Sequence, residues 1–128
     1  MAESKVKNKS RLFAIRIVRL YKYLVDDKKE FVMSKQVLRS GTSISANLAE
    51  AECAQSRKDF FAKHYIAYKE CSETLQWLEL LKESGFINEK QFDSIYADCK
   101  EIIRMLAAIT KRSKDEVVSN CYLLTATC

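Results

Sequence analysis

The chain has 128 residues, with 22 Lys+Arg against 17 Asp+Glu and a formal net charge of +5. That length suits one domain burying roughly two-thirds of its unfolded surface, so disulfide or metal staples are not required. Proline is absent and only Gly41 and Gly85 are glycine, which excludes β-sandwiches, barrels and Gly-rich phosphate loops for want of turn residues. With 48% hydrophobic and 30% charged residues, a disordered chain is excluded too. An all-α domain remains.

The first ten residues are polar and basic with no apolar run behind them, so no secretory signal is expected. The longest charge-free stretch, Val117 to Cys128, is too short and polar to cross a bilayer. Five irregularly spaced cysteines without a CxxC fit a reducing compartment, and a cytoplasmic protein is the expectation.

Periodicity predicts a first helix from about Lys5 to Val25. Val6, Phe13, Ile17, Leu20 and Leu24 share one narrow sector of it, the expected core stripe. Ile15, Val18 and Val25, edged by Tyr21, form a second apolar strip. A packed monomer needs only one stripe, so the second is a candidate contact with a partner chain. After a charged connection, Ser34 is the expected N-cap of a second helix, with Met33 and Leu38 as its hydrophobic staple. That helix should run from about Lys35 to Ala54 and carry Val37, Gly41, Ile44, Leu48 and Ala51 as a small-residue seam.

Ser56 and Asp59 form the expected cap of a third helix, whose stripe is Phe61, His64, Tyr68, Cys71, Leu75 and Leu78. Gly85 stands where a left-handed C′ residue belongs. Asn88 with Gln91 gives a capping box, and Ile87 with Phe92 its staple. The fourth helix carries Phe92, Ile95, Cys99, Ile102, Leu106 and Ile109 and should fray near Lys111 to Lys114. Short connections between long helices enforce antiparallel neighbours, hence an up-down-up-down four-helix bundle over residues 1–114. The tail, residues 115–128, has no clear period; a docked segment and a disordered end both stay open.

No catalytic constellation emerges. A di-iron bundle needs Glu-x-x-His on two helices, whereas the chain has one histidine, His64, preceded three residues earlier by Phe61. A Cys–His nucleophile pair of His64 with Cys53 or Cys99 lacks a supporting motif, and Walker, GxSxG and HExxH patterns are absent. The expectation is a protein that is not an enzyme, with no metal and no cofactor.

Arg39, Ser43, Asn47 and Glu50, with Gln36 upstream, form a polar line on the second helix. They are short or forked hydrogen-bonding residues rather than the long flexible ones of a solvated face. Such residues suit a partly buried network that fixes helix register or a subunit contact. The run from Gln36 to Glu50, QVLRSGTSISANLAE, resembles the signature of a bacterial four-helix-bundle family encoded within intervening sequences of 23S ribosomal RNA genes. The family pattern, Q-x-x-R-x-A-x-S-I-x-x-N-I-A-E-G, is matched at Gln36, Arg39, Ser43, Ile44, Asn47, Ala49 and Glu50. The resemblance spans about Leu12 to Ser113 and includes Lys58-Asp59-Phe60 and Glu73-Thr74-Leu75. Gly41 replaces the usual alanine, Leu48 an isoleucine, and Ala51 the glycine after the glutamate, so the second helix is expected to continue a turn further.

The resemblance implies a four-helix protomer that assembles into a ring-like homopentamer. It is also distantly similar to the accessory variability determinant of diversity-generating retroelements, a basic pentameric bundle that binds nucleic acid and a reverse transcriptase. In an antiparallel bundle the termini and the second connection share one end. Residues 1–11 carry +3, residues 52–63 carry +1 and residues 111–116 carry +1, which equals the whole excess of the chain. Lys5, Lys9, Arg16 and Arg19 share a sector of the first helix, and Arg57, Lys58, Lys111 and Arg112 lie at the same end. A pentamer would multiply this field about fivefold and release counterions on meeting phosphates. Two readings follow. One is a homo-oligomer that binds structured RNA or DNA through its basic end, reading backbone phosphates or shape. The other is a scaffold docking another polypeptide, such as a reverse transcriptase, through the Ile15/Val18 strip. The tyrosines Tyr21, Tyr23, Tyr65 and Tyr68 are at helical spacing and are expected to pack rather than stack on bases.

Overall fold

The computed structural model describes the backbone of residues 2–126 and the side chains of residues 2–114. Four helices follow in order, α1 (Ala2–Asp26), α2 (Met33–Ala51), α3 (Arg57–Glu83) and α4 (Glu89–Ala126). Each packs on two neighbours, α1 on α2, α2 on α3, α3 on α4 and α4 back on α1. This is the expected antiparallel bundle, and its slightest seam is that between α1 and α4.

In α1 the residues Val6, Phe13, Ile17 and Leu24 are buried and Leu20 partly so. Past the helix, Lys29 takes a left-handed φ of 54°, and the Glu30 N–H returns to the Leu24 carbonyl at 2.9 Å. That reversal aims the Glu30 carboxylate at the start of α2. It accepts from the backbone N–H of Val32 at 3.1 Å, Met33 at 3.0 Å and Ser34 at 2.7 Å. Ser34 is therefore not the N-cap. The cap residue is Val32, which makes no side-chain cap bond, and Ser34 lies buried in the first turn. A carboxylate two residues before the cap position has taken over the task of a serine hydroxyl.

The α2 seam of Val37, Gly41, Ile44, Leu48 and Ala51 is buried as expected. A Cβ on Gly41 would stand 2.8 Å from Ile17 Cγ1 and 2.9 Å from Cγ2, so glycine sets how closely α1 and α2 approach. The helix ends at Ala51, short of the expected Ala54. Its exit tightens into i→i+3 bonds, Glu52 N–H to Ala49 O at 3.3 Å, Cys53 N–H to Glu50 O at 3.0 Å and Ala54 N–H to Ala51 O at 3.2 Å. Replacing the glycine after Glu50 by alanine does not prolong α2.

Ser56, extended at φ −155°, accepts from the Asp59 N–H at 3.0 Å, and Asp59 accepts in return from the Gln55 N–H at 3.3 Å. The α3 stripe departs from expectation. Phe61, His64, Cys71 and Leu78 are buried, but Ala67, Thr74 and Leu81 complete the core line, while Tyr68 and Leu75 are only partly buried. The Thr74 hydroxyl donates to Ser40 Oγ of α2 at 2.9 Å inside this seam. Gly85 closes α3 at φ 83°. The Phe86 N–H reaches Leu81 O at 2.9 Å and the Gly85 N–H reaches Lys82 O at 3.0 Å, the paired bonds of a Schellman end.

Asn88 and Gln91 cap α4 reciprocally, both bonds at 2.8 Å, with Ile87 and Phe92 buried beside them. Phe92, Ile95, Cys99, Ile102, Leu106 and Ile109 are all buried. The helix does not fray near Lys111 but runs on to Ala126. No glycine or proline interrupts the sequence beyond Gly85, so nothing in the backbone forces a stop there. Among the described residues, no helix is long and apolar enough to cross a membrane.

Candidate functional site

The polar line of α2 works inside the protomer. Arg39 reaches α3 with both guanidinium nitrogens, one to Glu70 at 3.0 Å and the other to Glu73. Glu73 also accepts from the Trp77 indole N–H at 3.0 Å. Lower down, Glu50 meets Lys63 of α3 at 3.2 Å. Ser43 donates to the Arg39 carbonyl at 2.6 Å, and the Asn47 amide donates to the Ser43 carbonyl at 2.8 Å. Gln36 is exposed. The forked Arg39 pairing locks the register of α2 on α3, and each exposed pair adds about 0–1 kcal/mol. Its acceptors, Glu70 and Glu73, are invisible from the α2 signature alone, because a different helix supplies them.

Between Ser4 and Val25, α1 carries seven cations and no carboxylate. Neighbouring helices and the α2–α3 connection compensate three of them. Lys7 meets Glu52 at 2.7 Å, Lys9 meets Glu101 at 2.9 Å and Arg16 meets Asp98 at 2.6 Å. Arg16 also donates to the Ser94 hydroxyl at 2.8 Å and the Ser94 carbonyl at 3.2 Å. At the bundle end Arg112 meets Glu3 at 2.6 Å, and the Arg57 guanidinium lies 5.0 Å from the Phe61 ring centroid. Of the eight expected phosphate contacts, then, Lys9, Arg16, Arg57 and Arg112 already have partners within the protomer. Lys5, Arg19, Lys58 and Lys111 are exposed and form no ion pair among the described residues. Exposed Arg11 and Lys22 join Lys5 and Arg19 on α1. Uncompensated charge thus runs along the side of this helix over about 26 Å, with Lys58 and Lys111 free at the bundle end.

The same helix leaves large apolar groups open to solvent, Ile15 at 44%, Val18 at 37% and Leu12 at 65% exposure. Tyr21 and Val25, the other two residues of the expected strip, are half-buried. Leu12 belongs to this surface although the helical wheel places it outside the strip. A cleft of about 510 Å³ opens where α1 meets α4, lined among others by Arg19, Tyr23, Lys90 and Ile95.

His64, Cys71 and Cys99 are held by structural contacts. His64 is buried, and its Nδ1 donates to the Phe60 carbonyl of its own helix at 2.9 Å. Cys71 and Cys99 face each other across the α3–α4 seam with sulfurs 3.6 Å apart, both fully buried. The hydrogen bond to Cys71, and next to it burial, push the Cys99 thiol far above its ordinary range, which holds it protonated. Cys53 is exposed. Among the described residues no three His, Cys, Asp or Glu side chains come together as a metal-binding group.

Residues 2–108 match the family model described as 23S rRNA-intervening sequence protein. A solved structure from Bacteroides thetaiotaomicron, described as a protein of unknown function from the S23 ribosomal protein family, is 57% identical to the chain. It covers 87% of this chain and 99% of its own length, with a TM-score of 0.84. No curated protein matches.

Proposed function

The chain belongs to the 23S rRNA-intervening sequence protein family, and from that premise and the charge along α1 we propose a non-catalytic, self-associating cytoplasmic protein that binds structured RNA or DNA. The observation that carries this reading is the row of Lys5, Arg11, Arg19 and Lys22 on a helix with no carboxylate between Ser4 and Val25. Neighbouring helices and the α2–α3 connection neutralise the inward-turned cations and leave these four to solvent. Four unscreened cations over about 26 Å meet several phosphates of one backbone, and association of copies, as a pentamer in the family-like arrangement, multiplies the field. Contacts of this kind select by shape and charge rather than by base sequence.

The test is retention of a folded RNA and of a DNA duplex at rising salt. Wild type should bind at low ionic strength and lose affinity steeply with salt, at close to one logarithmic unit per logarithmic unit of salt for each phosphate met. Changing Lys5, Arg11, Arg19 and Lys22 together to Glu should abolish retention while helicity is unchanged. Lys9 and Arg16 are left alone because their loss would strand Glu101 and Asp98. Wild type that shows no salt-sensitive binding ends the proposal.

A second reading, a scaffold docking another polypeptide, draws on the open Leu12, Ile15 and Val18. Ile15→Asp with Val18→Asp discriminates. Loss of a protein partner with RNA retention intact favours the scaffold.

A further inference from the structure

A groove of about 390 Å³ runs between α3 and α4 on the flank away from α1, lined by Tyr65, Tyr68, Ala107, Thr110, Lys111 and Lys114. Tyr65 is 49% exposed. Its ring lies within 11° of parallel to that of Tyr68, with centroids 6.2 Å apart. Tyr68 packs on the core, so the outer ring stands beside an anchored one. The Lys69 ammonium sits 5.7 Å from the Tyr65 centroid, and Lys111 and Lys114 are exposed across the groove. Among the described residues that line the groove, none is a carboxylate. The Thr110 hydroxyl already spends its proton on the Ala107 carbonyl at 3.0 Å, leaving lone pairs that can accept.

These parts fit one ligand chemistry. A fixed aromatic face takes the face of a planar ring, three ammonium groups take an anion beside it, and a free acceptor takes an amino or imino N–H at the ring edge. A duplex cannot use this arrangement, because its bases are stacked on one another and its faces are covered. An acidic peptide would satisfy the lysines and leave the ring faces unused. We infer that the α3–α4 groove receives an unpaired nucleotide, its base on Tyr65 and its phosphates on Lys69, Lys111 and Lys114. The inference rests on the nucleic-acid reading above and adds what the α1 row cannot supply, a preference for single-stranded or looped segments. It also reverses the expectation that Tyr65 and Tyr68 are both packing residues.

The experiment measures binding of the full chain to a fluorescent 20-nucleotide oligo(dT) and, separately, to a blunt 20-base-pair duplex, by anisotropy in one buffer. Tyr65→Ala should weaken oligo(dT) binding by about 5- to 100-fold, the loss typical of one stacked base. Duplex binding should stay within about twofold, and Tyr65→Phe should keep oligo(dT) binding. Ala107→Leu, which leaves both rings untouched and fills the groove, should weaken oligo(dT) binding selectively as well. The inference is overturned if Tyr65→Ala leaves oligo(dT) affinity unchanged, or lowers both affinities alike. Wild type that binds duplex but not oligo(dT) overturns the groove assignment and leaves the α1 reading standing. Binding to neither removes both.

Discussion

The Glu30 carboxylate gathers the N–H groups of the cap residue Val32 and of Met33 and Ser34, the first two residues of α2, and its acidity records the gain from doing so. Burial pushes its pKa up, but the backbone N–H bonds from Ser34, Met33 and Val32 together pull it below the ordinary carboxylate value. A folded pKa below the unfolded one means that the charged form stabilises the fold. The contribution is fully present above the unfolded value of about 4.3, and it disappears as pH falls through the depressed folded value. Glu30→Gln should therefore cost about 1–3 kcal/mol at pH 7, and the gap to wild type should close in acid. Urea unfolding at pH 7 and at successive steps below pH 4 measures both. A gap that persists unchanged into acid would mean that the ionised carboxylate is not what holds the start of α2, and no gap at pH 7 would mean that the amide caps as well. At this scale the sequence was partly legible. Ser56, Asn88 and Gly85 cap through bonds to residues three positions away, and sequence spacing finds them. Glu30 caps only after Lys29 turns left-handed, and no spacing rule anticipates that reversal.

At the scale of elements, one contact sets the α1–α2 distance. Gly41 faces the branched part of Ile17, which has no flexible end to swing aside. Gly41→Ala gains about 1 kcal/mol in helix propensity and loses about 1–3 kcal/mol to overpacking, so a net destabilisation of up to about 2 kcal/mol is expected. In an Ile17→Ala background the added methyl fills space, and the same change should become stabilising. Chemical denaturation of the four proteins of this cycle supplies the coupling; additive effects would show that the helices simply move apart. The α2, α3 and α4 stripes differed in how well they could be read. That of α4 is built wholly from large or sulfur-bearing apolar residues, and the period finds all six. On α3 the core line passes through Ala67 and Thr74, whose slight hydrophobicity loses to Tyr68 and Leu75 one position on. That small rotation is also what exposes Tyr65. The groove was hidden by the same ambiguity that misplaced the stripe.

For the whole molecule, the type of charge was visible in the sequence but its destination was not. Lys9 and Arg16 read as free cations until α4 brings Glu101 and Asp98 alongside them, and Arg39 has no identifiable partner until α3 supplies Glu70 and Glu73. What remains unpaired on α1 lies next to Leu12, Ile15 and Val18, apolar area that a second copy would cover. Light scattering at micromolar concentration should give a mass several times 14.8 kDa, falling toward that value in the Ile15→Asp, Val18→Asp variant. A wild-type particle of one chain would remove self-association from the proposal.

The seam between α1 and α4 joins the first helix to the last. Its fastenings include Arg16 to Asp98, separated by 82 positions, and Arg112 to Glu3, separated by 109. Closing circuits that long is entropically the most demanding step in the chain, and the clasps that reward it are ionic, partly wetted and weakened by electrolyte. The belt of helices is therefore buckled where it is longest to draw together and easiest to unfasten.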